Sequence, residues 1–572
     1  MLQRFSFVLI LVLALCLRLI NLGEYGLNTD EKFTLLNIHG ICVGGYNQPE
    51  LYDKEVFTPK DYWKDRNLQD YYQAVARADF GTHITHNTLM HVWVKVFGKS
   101  DIAMRLMSVL FSMLLLVMIF WFCKDLLDSV PIGLWAMFFV AIDPLLISQA
   151  HFARSYSLSF FLLVVASYLF LKLLKSDSKN VKLAILYAAV ASLSLLNHYL
   201  NFVILLVHVV IAVVYLRNAK KWYFLLGAGA FTLAVMAYWM VAGGGQWSMQ
   251  FLEDKNALHL ALSKLPYLEN PMRGIVEPST LTNVSKMASS MILDANVFSF
   301  DFLPTFNGIR NLSIFIVFAS ASLISLVFFK KYSKFILGVI VVIAAGAGIV
   351  FFNGFDKTLL LRGLLLFAVI YGISLSKILR KYVVFLILAS ILPLLYVIFD
   401  AFKSGHTTSL SHRYIANSIP FIAMLMAVGF YGLIQNFKPF TPVFILLLAL
   451  QLFPLGKELN LIFEDVSARY SFRTEARIPN PYWAVAEKVK SNYNKGDTLI
   501  LPSFDGNVYT GHLGEAEKPK SILDAQYLNI YFEPNDYFIQ RIDQSEPNKV
   551  FLQKENGERL LLFDFNNSKY RY

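Results

Sequence analysis

The chain has 572 residues, of which 56% are hydrophobic and only 16% are charged, and its mean hydropathy is +0.51. Soluble domains are nearer a quarter charged, so this composition excludes an ordinary soluble protein and favours a polytopic membrane protein. The formal net charge of +11 would suit nucleic-acid binding, but the confinement of the Lys and Arg residues to short loops excludes that function.

The first apolar stretch, Phe5 to about Ile20, is long enough to cross a bilayer as a helix. Arg18 and Ile20 end this stretch without a small-residue cleavage site, which favours an uncleaved anchor over a signal peptide. Apolar windows of ~20 residues predict about thirteen spans in all, near 5–22, 101–123, 129–148, 156–173, 183–197, 199–216, 222–242, 312–330, 335–352, 358–376, 382–400, 414–435 and 440–455.

Every second connection between these spans is short and basic, which is the pattern of loops that stay in the cytoplasm. The residues concerned are Lys124; Lys172, Lys175, Lys179 and Lys182; Arg217, Lys220 and Lys221; Lys330, Lys331 and Lys334; Lys377, Arg380 and Lys381; and Lys438. The positive charge therefore orients the protein in the membrane. We predict a bacterial inner (plasma) membrane, with residues 23–100, 243–311 and everything after about Gly456 outside the cytoplasm.

This topology divides the chain into a membrane domain, residues 1–456, and an outer C-terminal domain, residues 457–572. A helix at Tyr482–Tyr493 and strands at Thr498–Leu501 and Arg559–Phe565 predict a small α/β fold for the second domain. In the first outer loop, Asp61–Phe80 has the spacing of an interfacial amphipathic helix, and Trp93–Phe97 suggests either another such helix or the start of a short span.

Two adjacent carboxylates, Asp30 and Glu31, lie just beyond the first span. Ionisable residues at the mouth of a hydrophobic protein indicate chemistry there. Adjacent side chains cannot both point at one place on regular structure, so one faces the site while the other binds a metal, a cation or solvent. Carboxylate ligands suit Mg²⁺ or Mn²⁺, but no metal-specific spacing is present and the metal question stays open.

Four segments, all on the predicted outer side, resemble motifs of the C-type (GT-C) glycosyltransferases, closest to bacterial relatives of protein O-mannosyltransferase and lipid A aminoarabinose transferase. They are CLRLINLGEYGLNTDEKFTLLN with Asp30 and Glu31; THITHNTLMHVWVKVFGKSDIAMRLMSVLFS with His86, Gly98, Ser100 and Arg105; DPLLISQAHFARSYSLSFFLL with Asp143, Pro144, Arg154 and Tyr156; and SHRYIANSIPFIAMLMAVGF with Arg413, Tyr414 and Pro420. Asn87-Thr88 replaces the usual Pro-Pro of the second motif.

The resemblance implies an enzyme that moves a hexose or pentose from a polyprenyl-phosphate donor to an envelope glycan, lipid or protein, with inversion. It implies Asp30 and Glu31 as catalytic residues, with Asp30 as the base that takes the acceptor proton. Arg154 and Arg413 would stabilise the departing phosphate. His86, Tyr156 and Tyr414 would line the substrate site.

Other readings of these residues stay open. His83 and His86 could share a zinc ion, although interfacial histidines are common; Asn197-His198-Tyr199 could line the same cavity or form a turn. Asp143 could be a second catalytic carboxylate, but the favoured expectation is that it holds an arginine such as Arg154. The alternative function is a flippase of lipid-linked sugars, which predicts internal repeats and mid-membrane charges. A catalytically dead envelope scaffold is a third reading.

Overall fold

The computed structural model describes residues 2–45, 47–77, 82–175, 180–302, 309–467, 469–470, 477–502, 522–543 and 545–566. The chain opens with the apolar helix α1 (Leu2–Leu19). The first long loop then folds into helices α2 (Thr29–Ile38), α3 (Pro49–Asp53), α4 (Pro59–Tyr62), α5 (Leu68–Arg77) and α6 (Ile84–Phe97).

A helical bundle follows, interrupted once by a second long loop. Its first part is α7 (Asp101–Leu126), α8 (Val130–Ile142), α9 (Pro144–Ala150), α10 (Tyr156–Lys175), α11 (Val181–Asn197), α12 (Phe202–Tyr215) and α13 (Ala219–Ala242). The second long loop holds α14 (Gly245–Ser263) and α15 (Leu281–Asp294). The bundle resumes with α16 (Ile309–Phe328), α17 (Ser333–Phe351), α18 (Leu359–Leu375), α19 (Arg380–Ser404), α20 (His412–Ile415), α21 (Ile419–Asn436) and α22 (Thr441–Phe463).

Within the described residues, seven helices are long and apolar enough to cross a bilayer, and the bent pair α8 and α9 would be an eighth if the two helices form one span instead of a re-entrant loop. The helices α11, α12 and α18 are apolar but shorter. The prediction of a polytopic helical membrane protein is confirmed at this level, and the total of thirteen spans stays a prediction. The last helix, α22, contains Pro454 and continues to Phe463, beyond the expected membrane exit near Leu455.

The C-terminal segment contains α23 (Pro481–Asn492), α24 (Leu523–Asn529) and a four-stranded sheet of β1 (Thr498–Pro502), β2 (Ile539–Asp543), β3 (Lys549–Gln553) and β4 (Arg559–Asp564). The strand order is β2-β1-β3-β4, with β1 and β2 parallel and the other pairs antiparallel. The predicted helix and both predicted strands are present. The sequence analysis did not predict strands β2 and β3, which are short runs of five residues each.

The first long loop and the C-terminal segment share one hydrophobic core. Phe57 extends the sheet by pairing antiparallel with Gln540, with N···O distances of 2.9 and 2.8 Å. The Gln526 Nε2 donates to the Cys42 carbonyl oxygen at 3.0 Å, and the Trp63 indole donates to the Phe532 carbonyl oxygen at 2.8 Å. The C-terminal segment is therefore packed directly on the loop that carries Asp30 and Glu31.

The expected helix over Asp61–Phe80 is divided into α4 and α5. Asn67 and Asp70 cap each other's backbone N–H groups at 3.0 Å, and this reciprocal cap starts α5 at Leu68 instead of continuing α4. Residues 78–80 and Lys179 lie outside the described residues. The second expected interfacial helix, Trp93–Phe97, is the end of the longer α6.

Candidate active site

Helix α2 begins with a capping box that places Asp30 and Glu31 in its first turn. The Asn28 side chain accepts the Glu31 N–H at 3.0 Å, and the Glu31 carboxylate accepts the Asn28 N–H at 2.8 Å. The two carboxylates consequently point in different directions. Glu31 is fully buried, whereas Asp30 is only partly buried.

The Glu31 carboxylate is saturated by hydrogen bonds. Arg105 binds it through two nitrogens, Nε to Oε1 and Nη2 to Oε2, both at 2.8 Å, and Oε1 also accepts the Ala153 N–H at 2.8 Å. Burial opposes ionisation of Glu31, but the charge and hydrogen bonds of Arg105, with the two backbone N–H groups, outweigh it and hold the Glu31 pKa below its usual range. Glu31 is the member of the pair that binds a cation.

The same arginine ties α2 to the preceding chain. Arg105 Nη1 donates to the Leu22 carbonyl oxygen at 2.6 Å, and Nη2 also donates to the carbonyl oxygen of Gly26. The guanidinium is 5% exposed, so it fixes the loop that leads from α1 into α2 from inside the protein. This ion pair sets where Asp30 lies.

The Asp30 carboxylate makes no ion pair or hydrogen bond with any of the described residues. Its charge nevertheless acts on Arg413, Tyr414 and Tyr156, so it lies within electrostatic range of these three side chains. Residues from α2, α10 and α20 thus converge around one partly exposed carboxylate. The sequence assigned all of these residues to one site, and the structure brings them together.

Arg154 reaches the same place by holding the backbone of α2. Its Nη1 donates to the Asp30 carbonyl oxygen at 2.9 Å and to Thr34 Oγ1 at 3.1 Å, and the residue is 6% exposed. Asp143 does neighbour an arginine, as expected, but that arginine is Arg18 and not Arg154. Asp143 caps α9 by accepting the Leu146 N–H at 2.9 Å, and its charge acts on Arg18.

The chain bends by 64° between α8 and α9, and Arg154 follows shortly after α9. Helix carbonyls freed inside a membrane need donors, and Arg18 supplies them at 3.2 Å to Val140 and 3.1 Å to Ala141. Pro144 begins α9 in the new direction. Arg18 and Asp143 are thus the two charges that stabilise the break.

Helix α20 presents Arg413 and Tyr414 beside Asp30. The Arg413 guanidinium carbon lies 5.1 Å from the centre of the Tyr414 ring, and its Nη2 donates to the Tyr414 hydroxyl at 3.4 Å. The preceding His412 Nε2 lies 3.2 Å from the Asp294 carboxylate, which is also 3.7 Å from Arg469. This anchor fixes the short helix between the second long loop and α22.

The histidines form the wall of the site beside Tyr156. The His198 ring lies 5.8 Å from that of Tyr156 and 5.7 Å from that of His83, so the Asn197-His198-Tyr199 segment packs against α6 and α10. Burial, assisted by the charge of Arg154, lowers the His83 pKa to about 3, which keeps this ring neutral. His86 is buried, with Nδ1 3.4 Å from the Asn87 Oδ1.

The described residues around Asp30 do not supply a set of protein ligands for a divalent ion. No group of three or more His, Cys, Asp or Glu side chains among the described residues is placed to hold a metal. The Glu31 oxygens are occupied by Arg105 and backbone N–H groups, which leaves Asp30 as a single carboxylate.

Lys32, which the sequence analysis did not select, connects α2 to the C-terminal segment. It is 2% exposed, and its Nζ lies 4.5 Å from the Tyr482 ring centre and 4.9 Å from that of Tyr527. Burial and the charge of Arg477 lower the Lys32 pKa to about 7, although Asp101, Glu31 and Asp524 oppose the shift. Because Lys32 directly follows two carboxylates, nothing in the sequence indicates that its side chain is buried.

This lysine predicts a pH dependence of stability. An unfolded chain binds the Lys32 proton up to its ordinary pKa of 10.5, whereas the folded chain releases it near 7, so folding is favoured increasingly as pH rises across this window. We expect the difference in melting temperature between wild type and Lys32→Met to move in favour of wild type from pH 7 to pH 10. Melting curves in detergent measure it, with the exposed Lys60→Met as control. A difference that is constant with pH would contradict the prediction.

No protein-family model matches the chain, and no curated protein matches it. Among solved structures it is similar to ArnT from Cupriavidus metallidurans bound to undecaprenyl phosphate, with 12% identity and a TM-score of 0.33 over 93% of this chain and 89% of that one. For the apo ArnT structure the identity is 11% and the TM-score 0.35, over 94% and 86% of the two chains.

Proposed function

We propose that the protein is an integral-membrane glycosyltransferase of the GT-C type that moves a sugar from a polyprenyl-phosphate donor to a hydroxyl of an envelope glycan, lipid or protein. The observation that carries this proposal is the Asp30 carboxylate, which is unpaired among the described residues and lies within electrostatic range of Arg413, Tyr414 and Tyr156. A base next to a cation and two phenols is what a sugar phosphate and an attacking hydroxyl require. The two long loops and the C-terminal segment would place this site outside the cytoplasm.

The reaction is a single displacement at the anomeric carbon. The acceptor hydroxyl loses its proton to the Asp30 carboxylate as its oxygen forms the new bond to that carbon. The bond from the same carbon to the phosphate oxygen breaks, and the lipid phosphate departs with the electron pair. Arg413, assisted by the Tyr414 hydroxyl, stabilises the negative charge on the phosphate. Attack opposite the leaving group inverts the anomeric centre, for a hexose or pentose donor.

Glu31 and Arg154 act as positioning residues in this proposal, although the motifs suggested catalytic and phosphate-binding roles. The Glu31 oxygens have no position left to accept a proton from substrate. The Arg154 Nη1 is committed to the Asp30 carbonyl and to Thr34. Both residues hold the first turn of α2, while the charge of Arg154 still favours an anion in the site.

The leading alternative is a flippase of lipid-linked sugars. Purified wild-type protein is incubated with radiolabelled polyprenyl-phosphate sugars and envelope extract, and in parallel is reconstituted into vesicles with the labelled lipid. Radiolabel in a component of the envelope extract would support the transferase function. Translocation of the labelled lipid across the vesicle membrane without any sugar transfer would instead support the flippase function.

Arg413 provides a test of the donor contact. Replacing Arg413 by Gln removes a charged hydrogen-bond donor to the phosphate, which is worth roughly 1.5–3 kcal/mol, so we expect donor affinity to fall about tenfold to a hundredfold. Binding of the labelled polyprenyl phosphate measures this loss. Arg273→Gln, an exposed arginine of the second long loop, is the matched control and should bind normally. Equal affinity for both variants would remove Arg413 from the donor site.

A further inference from the structure

A cavity that shares no lining residue with the candidate active site lies on the membrane face of the bundle, between α16 and α17. It has a volume of about 520 Å³, within the range of sites that hold small ligands. Its walls are almost entirely apolar and include Phe318, Phe329, Phe335 and Ile343. The Ser322 hydroxyl in the wall is satisfied within its own helix, because it donates to the Phe318 carbonyl oxygen at 2.7 Å.

The cavity has the length of one bilayer leaflet. It extends from Tyr332, at the turn between the two helices, to Ile343. At 1.5 Å per helical residue this distance is about 16 Å, and half of a hydrocarbon core is about 15 Å. Tyr332 is 58% exposed and Phe335 is 75% exposed, so the groove is open to the surrounding lipid.

The turn end of the groove is positively charged. Lys330, Lys331 and Lys334 belong to this turn, and residues 309–353 contain no Asp or Glu to neutralise them. Lys331 and Lys334 are exposed, and the Lys331 Nζ lies 5.8 Å from the centre of the Tyr332 ring. A lysine pair and a tyrosine at the level of the headgroups, above an apolar groove, complement a phosphodiester with an acyl chain.

We propose that this groove is a binding site for an anionic phospholipid of the leaflet on the basic-loop side of the membrane. One acyl chain lies between α16 and α17, and the phosphodiester meets Lys331, Lys334 and the Tyr332 hydroxyl. This site is independent of the sugar-transfer reaction and lies away from Asp30. An uncharged lipid, the polyprenyl tail of the donor and a second copy of the chain are the competing occupants.

The test uses the full-length protein in mixed micelles of phosphatidylglycerol and phosphatidylcholine, with bound lipid identified and titrated by native mass spectrometry. Near an anionic lipid each lysine is worth about 1 kcal/mol, so Lys331→Gln/Lys334→Gln should weaken phosphatidylglycerol binding roughly twenty- to thirtyfold. Lys220→Gln/Lys377→Gln removes the same charge from other exposed positions and should change binding less than threefold. Ser325→Trp fills the groove and should abolish retention, whereas Val350→Trp, on the same pair of helices, should not.

Three results would overturn the proposal. Equal retention of both phospholipids would show that the headgroup charge is not recognised. Displacement of phosphatidylglycerol by polyprenyl phosphate would assign the groove to the donor tail. A dimer that dissociates in Ser325→Trp would assign it to a second copy. Sugar transfer is measured on the same variants, so that failure of the lipid site is separated from failure of the transferase.

Discussion

Replacing Asp30 by Asn is expected to reduce the rate of sugar transfer by a factor of about 10²–10⁴ while leaving donor binding within about twofold of wild type. The size follows from the usual contribution of a general base. In the proposed mechanism the donor phosphate contacts Arg413 and Tyr414, and Asn preserves the shape of the Asp30 side chain, so donor affinity should be retained. Transfer of radiolabel from the donor to envelope extract measures the rate, and binding of the same lipid measures affinity.

Asp65→Asn is the matched control, since Asp65 is an exposed carboxylate of the same loop. We expect it to transfer at the wild-type rate. Transfer by Asp30→Asn at more than about a tenth of the wild-type rate would show that another group takes the proton. If the variant loses donor binding as well, Asp30 belongs to the donor site and is not a separate base.

The second large effect concerns the buried ion pair between Glu31 and Arg105. Breaking a buried pair by removing one partner costs about 3–5 kcal/mol, because the remaining charge is left in the interior. Glu31→Gln should therefore lower the stability of the folded protein by this amount. Thermal or denaturant unfolding in detergent measures the change, and transfer should fall with it because α2 loses its anchor.

A double-mutant cycle separates the pair from its surroundings. Arg105→Met combined with Glu31→Gln removes both charges, so the double variant should be less destabilised than the sum of the single variants. Glu487→Gln makes the same substitution in an exposed pair, 3.2 Å from Lys490, and should change stability by less than 1 kcal/mol. Simple additivity of Glu31→Gln and Arg105→Met would show that the ion pair is not what holds α2.

The sequence determined that the protein is a polytopic helical membrane protein, and it predicted the residues of the candidate site. Long apolar runs allow a helix to satisfy its own backbone in lipid, so composition alone predicts membrane helices. Short sequence motifs alone predicted four residues of the candidate site, namely Asp30, Tyr156, Arg413 and Tyr414. The helix and the two strands of the C-terminal segment followed from local periodicity and from turn residues such as Gly496.

Only the tertiary structure decided which of these residues are buried and paired and which remain partly exposed. The sequence placed Asp30 and Glu31 side by side, but the capping box and the Arg105 contact, 74 positions away, make Glu31 a buried anchor and leave Asp30 facing Arg413. The sequence could not show that Asp143 neighbours Arg18 instead of Arg154, or that Lys32 lies between two tyrosines of the C-terminal segment. Each of these outcomes depends on contacts between distant parts of the chain. Local patterns determine which segments become helices and strands, whereas packing determines which charges meet.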